Sequence, residues 1–324
     1  MDSEFTHAPK VINLGSLCID YVYTVAEIAE QGVTIASTDR QIFAGGKGLN
    51  QSIAAAQAGV QVVHVGAIGE DGNLLRETLS LNNINDAQVV TLPGASGHAF
   101  IQVNERGENA IVIYGGCNRM ISSEMVTACL NGATVDDVLL LQNEINDIDQ
   151  IIKQAASSGI RVILNLAPAD GRIKNYPIEL LHTLIVNEQE CLALARSLGL
   201  ADDTTLDAYH ALVQTYPTVA ILLTRGKKGL LYKTPNTQEH LELSAFVVEA
   251  VDETAAGDAF VGYFVASVLQ NVKPVDALQR ASAAGALAVT KAGAAPSIPS
   301  SIQVNALLTE QQLNLETKTL ILSR

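Results

Sequence analysis

The chain has 324 residues, 48% of them hydrophobic, and carries a formal net charge of −14 at pH 7. This length and hydrophobic content allow a sizeable core, which argues against a disordered chain. Non-specific binding to nucleic acid needs Lys and Arg against phosphate, so the acidic balance argues against that class of protein too.

The spacing of cysteines, histidines and apolar residues argues against three further classes. The four cysteines contain no C-x-x-C pair, which favours reduced thiols in a cytoplasmic protein over a disulfide framework. The six histidines form no cluster with zinc-ligand spacing. Residues 1–10 have early acids and no apolar run, so no secretory signal is expected there. No uninterrupted apolar stretch is long enough for a bilayer span, so we expect no membrane segment.

Short apolar runs alternate with helix-like segments along the chain. The runs are apolar on nearly every residue, as is typical of strands buried on both faces of a parallel sheet; they are residues 11–14, 62–65, 138–141, 162–166, 184–186 and 219–223. Helical character is found in residues 48–58, 148–157, 188–197 and 206–215. The alternation predicts βαβ units and therefore an α/β fold, with a mostly parallel central sheet flanked by helices in a Rossmann-type, three-layer arrangement.

Two regions interrupt this alternation. Residues 19–43 and 98–114 contain β-rich runs with turn signals, and the sequence NERG at 104–107 indicates a hairpin turn. We expect the two regions to pair as a small antiparallel β lid. The α/β domain then comprises residues 10–18, 44–97 and 115–324.

The segment VDETAAGDAF, residues 251–260, precedes an apolar helical run. Small residues at a helix start leave backbone N–H groups exposed at its positive end, where a phosphate can bind. Asp258 could accept a proton from an attacking hydroxyl while these amides stabilise the phosphate charge. The same residues also fit an ordinary helix start in which Thr254 or Asp258 is the cap, so the pattern alone leaves both interpretations open.

A glycine-rich segment, AGGKGLNQ at residues 44–51, leads into a predicted helix. Glycines allow the backbone to approach a ligand closely, and Lys47 and Asn50 could hydrogen-bond sugar hydroxyls. The segment fits neither the P-loop nor the dinucleotide-binding pattern, which disfavours an NAD(P)-binding protein. Taken alone, it also fits a tight strand-to-helix connection.

The segment around Asp258 and the glycine-rich segment resemble signature regions of the ribokinase-like (PfkB) carbohydrate kinases. Five further segments match the same family in order along nearly the whole chain. The seven matching segments are residues 15–20, 45–51, 142–144, 187–190, 224–229, 254–258 and 293–297. The resemblance implies a kinase that uses ATP to phosphorylate the primary hydroxyl of a small sugar, ribose or a related pentose or ketohexose, by in-line transfer. A nucleoside or other small-alcohol kinase of the same fold, and a non-catalytic sugar or nucleotide sensor, are the alternatives.

The resemblance also implies roles for residues around the phosphates. Asp258 corresponds to the base that deprotonates the sugar hydroxyl, and its neighbours supply the anion hole through the amides of Ala255, Ala256 and Gly257. The implied ATP-binding residues are Asn187, Thr224, Gly226, Gly229 and Gly257. Asn187 and Glu190 are implied to hold Mg²⁺ through water, although Glu190 could instead be a solvated residue on a helix face.

Two further sites follow from the resemblance. The implied K⁺ ligands are Asp252 and Ser297 with the backbone carbonyls of Thr254 and Gly293, although a buried Asp252 that caps the loop would account for the same residues. The implied sugar-binding residues are Asp20, Gly45, Gly46, Lys47, Asn50, Glu144 and Asp258.

Cys18 departs from the family pattern, which usually has Asn at this position. A thiol is a weak donor and acceptor, so one strong contact to a sugar hydroxyl is lost or replaced. His98 and Tyr114 in the predicted lid could replace it, or they could simply pack within the lid. Cys18 therefore puts ribose in question more than it does the kinase chemistry. Lids of this family often pair between subunits, so we also expect a homodimer formed through the lid.

Overall fold

The structure is a computed structural model that describes residues 8–200, 203–237, 239–311 and 317–321. We expect no secretory signal in residues 1–10, and residues 1–7 of that segment lie outside the described residues. No helix in the described ranges combines the length and the apolar character that crossing a membrane requires.

The strands divide between two sheets. Numbered in chain order, they are β1 (Lys10–Leu14), β2 (Cys18–Val25), β3 (Ser37–Gly45), β4 (Gln61–Ile68), β5 (Asn85–Thr91), β6 (Gly97–Val103), β7 (Asn109–Tyr114), β8 (Val138–Gln142), β9 (Arg161–Asn165), β10 (Thr183–Asn187), β11 (Ala220–Thr224), β12 (Leu230–Lys233), β13 (Glu239–Leu243) and β14 (Thr317–Ile321). In the described ranges, the larger sheet has ten strands in the order β14-β13-β12-β11-β10-β9-β8-β1-β4-β5. The strands from β11 to β5 are parallel, and β12, β13 and β14 add antiparallel pairings at one edge.

Helices cover both faces of this sheet. They are α1 (Lys47–Gln57), α2 (Asn73–Leu81), α3 (Ser123–Asn131), α4 (Ile148–Ser157), α5 (Glu188–Ser197), α6 (Thr205–Thr215), α7 (Ala256–Leu269), α8 (Pro274–Ala288) and α9 (Ser301–Gln311). Successive strand residues point to opposite faces, so Val11 packs in a core with α1, α2, α7, α8 and α9. Its neighbour Ile12 packs in a second core with α3 to α6. The predicted three-layer α/β fold is confirmed.

The two interrupting regions form the smaller sheet, in the order β3-β2-β6-β7. The β2–β3 and β6–β7 pairings are antiparallel, as expected, and the β2–β6 pairing at the centre is parallel. The parallel pairing arises because β6 follows β2 through a long crossover rather than through a hairpin turn. We call this sheet the lid. The division of the chain into a lid and an α/β domain at the stated residues stays a prediction.

The connections bring the loops of interest to one edge of the large sheet. The strand order reverses between β1 and β8, and the loops that follow these two strands open a crevice where α/β proteins bind ligands. Helices α1 and α7 begin at this edge and pack closely, since a Cβ on Gly262 would lie 2.4 Å from Cβ of Ala54. The glycine-rich segment and the segment around Asp258, distant in sequence, are thereby neighbours.

Candidate active site

Asp258 lies in the first turn of α7 and is buried. Its Oδ2 accepts a hydrogen bond from Nδ2 of Asn50 at 3.0 Å, and its Oδ1 accepts one from Nε2 of Gln51 at 2.9 Å. The Thr254 hydroxyl donates to Asp252. Thr254 and Asp258, the two residues that fitted an ordinary helix cap from the sequence, therefore do not cap α7. The carboxylate is instead held by the start of α1.

The start of α7 leaves amide groups available to an anion. The helix follows Ala255, whose φ of 59° is left-handed and costs about 1–2 kcal/mol for a residue other than glycine. In the described part of the chain, the N–H groups of Ala255 and Gly257 donate to no protein acceptor, and that of Ala256 makes only a 3.4 Å bond to the carbonyl of Glu253. The positive end of α7 is thus free for a phosphate, as the sequence predicts.

A cavity of about 230 Å³ opens beside this turn, lined by Asp258, Gly257, Lys47, Asn187 and Glu190 among others. Lys47 brings a positive charge to a predominantly acidic wall. The charge of Asp258 is the main reason that the pKa of Lys47 is raised; burial opposes the effect, and Glu144 and Glu190 add to it. Lys47 therefore stays protonated at neutral pH and can attract the phosphates of a nucleotide.

Asn187 and Glu190 form a capping box at the start of α5. Asn187 Oδ1 accepts from the Glu190 N–H at 2.9 Å, and Glu190 Oε2 accepts from the Asn187 N–H at 2.9 Å. Glu190 is buried rather than solvated, and burial is the main cause of its raised pKa. Both residues line the cavity. The capping box leaves Oε1 of Glu190 and the amide nitrogen of Asn187 as the groups that could meet a ligand there.

A second cavity of about 600 Å³ lies alongside and shares Asn187, Thr224, Glu253 and Gly257 with the first. It contains every residue predicted to bind nucleotide, including Gly226 and Gly229. The rest of its wall is mainly apolar or small: Leu230, Ala245, Phe246, Val247, Val248, Ala250, Ala256, Phe260, Ala286 and Val289. A large apolar cavity that joins a small polar one suits a nucleotide base whose phosphates reach Asp258.

Glu144, in the loop after β8, anchors the start of α1. Its Oε2 accepts from the backbone N–H of Lys47 at 3.1 Å and from the Ser16 hydroxyl, which in turn accepts from the Gly48 N–H at 3.1 Å. No side chain of Gly46 can cap α1, and its φ of 93° favours glycine. The Glu144 carboxylate supplies the negative charge that a helix N-terminus attracts.

Asp20 faces the same region from the lid. A Cβ on Gly45 would lie 2.0 Å from Asp20 Oδ2, so only glycine at position 45 leaves room for this carboxyl group. Burial, and then the negative charge of Glu144, raise the pKa of Asp20 to about 7. Asp258 and Glu144 are charged neighbours of Lys47, and Asp20 lies near Glu144, as expected for a pocket that accepts hydrogen bonds from sugar hydroxyls.

Cys18 is buried near Asp20 and Glu144. Burial raises the pKa of its thiol, and the charges of Glu144 and Asp20 raise it further, so the thiol is neutral at neutral pH. Asn118 lies behind it: its amide nitrogen donates to the Leu17 carbonyl at 2.9 Å and lies 3.4 Å from Cys18 Sγ. Position 18 therefore offers the pocket a small, weakly polar group.

The register of the lid decides between the two interpretations of His98 and Tyr114. His98 pairs with Ile19 and with Tyr114, so both rings lie on the face opposite to Cys18 and Asp20. Their ring centroids are 5.0 Å apart, and the Tyr21 ring contacts His98 from the same face. This geometry supports packing within the lid, not replacement of the contact that Cys18 lacks.

Asp252 connects the loop before α7 to the segment at 293. Its Oδ1 accepts from the Thr254 N–H (2.9 Å) and hydroxyl (2.6 Å), and its Oδ2 accepts from the Gly293 N–H (2.8 Å). Burial would raise the pKa of Asp252, but these hydrogen bonds outweigh it and the pKa is lowered. Ser297 is buried and donates to the Ala294 carbonyl at 2.8 Å. These contacts show that Asp252 caps the loop, and a role for the same residues as K⁺ ligands stays a prediction.

Comparison with known proteins places the chain in a family. The model of the pfkB family carbohydrate kinases matches residues 8–301. The chain belongs to the pfkB family. A ribokinase from Staphylococcus aureus (strain COL) is 32% identical over 304 residues, which cover 91% of this chain and 98% of that protein. A deoxyribokinase from Salmonella typhi is 31% identical over 304 residues, which cover 91% and 97%.

Among solved structures, the pfkB kinase is similar to Arabidopsis thaliana ribokinase complexed with ribose and ATP. The TM-score is 0.81 at 27% identity, and the match covers 93% of this chain and 99% of that one. The family and the fold together establish that the protein is an ATP-dependent carbohydrate kinase.

Several residues of the site have no role in the sequence prediction. Ser16 and Gln51 stand inside quoted segments, but nothing local shows that their side chains bind Glu144 and Asp258. Asn118 holds both backbone groups of Leu17 across 101 residues, and no sequence signal marks that contact. Asn165 and Glu253 line the smaller cavity; one stands in a predicted strand and the other in the segment 251–260, and neither is assigned a role from the sequence.

Proposed function

We propose that this pfkB kinase transfers the γ-phosphoryl group of ATP to the primary hydroxyl of a small sugar, with Asp258 as the base. The observation that supports this most is the position of the Asp258 carboxylate, which is fixed by Asn50 and Gln51 beside the free amides of α7. A base must reach the hydroxyl proton while the phosphate remains bound, and these two groups share one cavity.

In the proposed reaction, the sugar oxygen attacks phosphorus in line with the bond to the leaving ADP oxygen. The O–P bond forms as that bond breaks, and the hydroxyl proton passes to Asp258. The amides of Ala255, Ala256 and Gly257 stabilise charge on the transferred group, and Lys47 adds a positive charge beside it.

The proposed Mg²⁺ site fits the donors present. Glu190 and Asn187 offer oxygen and amide groups at the polar cavity, and the described residues contain no group of three or more His, Cys, Asp and Glu side chains that could enclose a bare ion. Such a sparse set suits Mg²⁺ held mainly by water and ATP phosphates. When bound, the ion offsets the phosphate charge.

The acceptor that we propose is ribose or a related pentose, bound by Asp20, Gly46, Lys47, Asn50 and Glu144. Asn50 supports this role because its Oδ1 is buried without a hydrogen-bond partner in the described structure, while its nitrogen holds Asp258. That oxygen is available to a sugar hydroxyl. The names of the ribokinase and deoxyribokinase relatives support a pentose, and Cys18 leaves open which one.

A panel of acceptors tests the proposal. We expect a free pentose, among ribose, 2-deoxyribose, fructose, adenosine and inosine, to give the highest kcat/KM in a coupled assay of ADP release. If a nucleoside exceeded every free sugar, the small-alcohol alternative would replace our proposal. We also propose that Asp252 and Ser297, with the backbone carbonyls of Thr254 and Gly293, hold K⁺. Running the panel in K⁺ and in choline chloride of equal ionic strength tests this site, since equal rates would remove it.

We propose that residues 19–43 and 98–114 act as a lid over the α/β domain of residues 10–18, 44–97 and 115–324, and that lids of two copies pair. The register places four exposed apolar side chains on one lid face: Ile42, Phe100, Val112 and Tyr114. Exposed apolar patches of this kind mark interaction surfaces.

Sedimentation equilibrium tests the lid pairing. We expect a dimer for the wild type and a shift towards monomer for Val112→Glu, because a charge would be buried in the apolar contact. Ile302→Glu is the matched control, since Ile302 is also exposed but lies on α9. A wild type that is monomeric at micromolar concentration would contradict the proposal.

We also propose a cytoplasmic location. All four cysteines are free and buried, which supports a reducing compartment. Fractionation of the source cells would check it.

A further inference from the structure

A chain of buried amide side chains runs from Asp258 into the core behind the cavity. Gln51 donates to Asp258 through Nε2, and its Oε1 accepts from Nε2 of Gln142 at 2.8 Å. The same Gln142 nitrogen donates to Oδ1 of Asn13 at 2.9 Å. Gln51, Gln142 and Asn13 are fully buried. Buried polar groups are costly unless they are hydrogen-bonded, so these contacts constrain one another strongly.

The chain continues beyond Asn13 to a buried histidine. Nδ2 of Asn13 donates to Oγ of Ser52 at 2.8 Å, and that oxygen lies 2.8 Å from Nδ1 of His64. Ser52 accepts from Asn13, so its own hydrogen is available to the ring. Burial lowers the pKa of His64 to about 4, which keeps the ring neutral at neutral pH and leaves Nδ1 able to accept. Each contact between Asp258 and His64 then pairs one donor with one acceptor.

The direction of the Gln51 amide is fixed at both ends, because the Asp258 carboxylate can only accept and the Gln142 nitrogen donates. A glutamine amide has a donating and an accepting end, and Gln142 uses its donating nitrogen towards both Gln51 and Asn13. Gln51 must therefore turn its oxygen to Gln142 and its nitrogen to the carboxylate. Gly15 leaves room for this arrangement, because a Cβ at that position would lie 2.2 Å from Gln142 Oε1.

We propose that Gln51 is a positioning residue for the base, and that Gln142 sets the orientation in which Gln51 works. The inference rests on the proposed role of Asp258. With Asn50 on one carboxylate oxygen and Gln51 on the other, the carboxyl plane cannot rotate, and a fixed lone pair faces the approaching hydroxyl. Small errors in such an alignment cost rate rather than binding.

The roles of the two amides next to Asp258 therefore differ. Asn50 has a free oxygen for the sugar, whereas both ends of the Gln51 amide are used by Asp258 and Gln142. Loss of Gln51 should lower kcat and leave the KM values for sugar and ATP nearly unchanged. A residue that only stabilised the fold would lower the melting temperature without this separation of kcat from KM.

The test uses Gln51→Met, Gln142→Met and the double variant, because Met keeps the volume of glutamine and removes its hydrogen bonds. We expect kcat to fall roughly 10- to 100-fold for Gln51→Met and roughly 5- to 20-fold for Gln142→Met, with KM values within about threefold of wild type. The double variant should match Gln51→Met to within about twofold, since Gln142 acts through Gln51. Gln88→Met is the matched control, a glutamine on β5 with a buried Oε1, and should keep its kcat.

Three results would overturn the proposal: an unchanged kcat in Gln51→Met, losses of kcat that multiply in the double variant, or raised KM values with kcat preserved. If Gln51→Met does not fold, Gln142→Met carries the test, because its amide makes no hydrogen bond to Asp258, and an unchanged kcat there would be decisive against it. Asp258→Asn is run in parallel. Near wild-type turnover in that variant would remove the proposed base, whereas an inactive Asp258→Asn beside fully active glutamine variants would remove only the positioning role.

Discussion

Replacing Asp258 with asparagine is expected to lower kcat about 1000-fold. An amide has nearly the size of a carboxyl group but cannot take the proton of the attacking hydroxyl, and general-base catalysis typically contributes about 10²–10⁴-fold. The KM for ATP should change little, because the amides of α7 and the apolar cavity are retained. The measurement is ADP release in a coupled assay at saturating sugar and ATP.

The control for this variant is Asp276→Asn, which removes an exposed aspartate from the first turn of α8 and should leave kcat unchanged. Thermal shift with ribose and an ATP analogue shows whether the inactive variant still binds its ligands. Turnover close to wild type in Asp258→Asn would remove the base from the mechanism and leave phosphate positioning as the source of catalysis.

The second large effect is expected at Asp20, where asparagine should raise the KM for the sugar roughly 10- to 100-fold. A charged acceptor to a hydroxyl group contributes more than a neutral one, and Asp20 is the lid carboxyl that we propose binds the sugar. Its effect on kcat should be small, because Asp20 lies outside the group that holds the phosphate. Initial rates over a range of sugar concentrations measure the change.

The pKa of Asp20 predicts the direction in which kcat/KM for the sugar changes with pH. The pKa of Asp20 is raised to about 7 by burial and by Glu144, so the carboxyl group is mostly protonated below pH 7 and ionised above it. If the ionised form accepts the sugar hydroxyls, kcat/KM for the sugar rises as the pH increases from 6 to 8. Asp20→Asn lacks this titration and should show a flatter profile in that range. Identical profiles for the two proteins would contradict the assignment.

The raised pKa of Asp20 also predicts that replacing this residue with asparagine stabilises the ligand-free protein. Because the pKa of Asp20 in the folded protein lies above its ordinary value of 3.8, folding favours the protonated carboxyl group. The ligand-free protein therefore loses stability from this group as the pH rises from about 4 to 7, and the full penalty applies above pH 7. Asp20→Asn should melt at a higher temperature than the wild type at pH 8. Asp39→Asn, an exposed residue of the same lid, serves as the control in both experiments.

The local features of the fold are readable from the sequence. Each of the six predicted parallel strands is present, because a strand with both faces buried must be apolar at nearly every position. The four predicted helices begin and end within one residue of the prediction. Strands β5, β12, β13 and β14 lie at the two edges of the sheet, where Asn85–Thr91 and Glu239–Leu243 mix polar and apolar residues, so their pattern was not distinctive.

The features of the site likewise separate into those that the sequence predicts and those that only the structure shows. The alternation of apolar runs and helical segments was enough to predict the α/β fold, and the resemblance of seven segments implied the kinase family, because helix starts and glycine positions are encoded locally. The roles of Asp258 and the glycine-rich segment stay predictions. Only the tertiary structure decided which side chains meet. Gln51 contacts Asp258, which is 207 residues away in the sequence, and Gln142, which is 91 residues away. It also decided that His98 lies on the far face of the lid, since strand register, not composition, assigns a side chain to a face. Contacts of this kind depend on strand order and helix packing, which no local pattern contains.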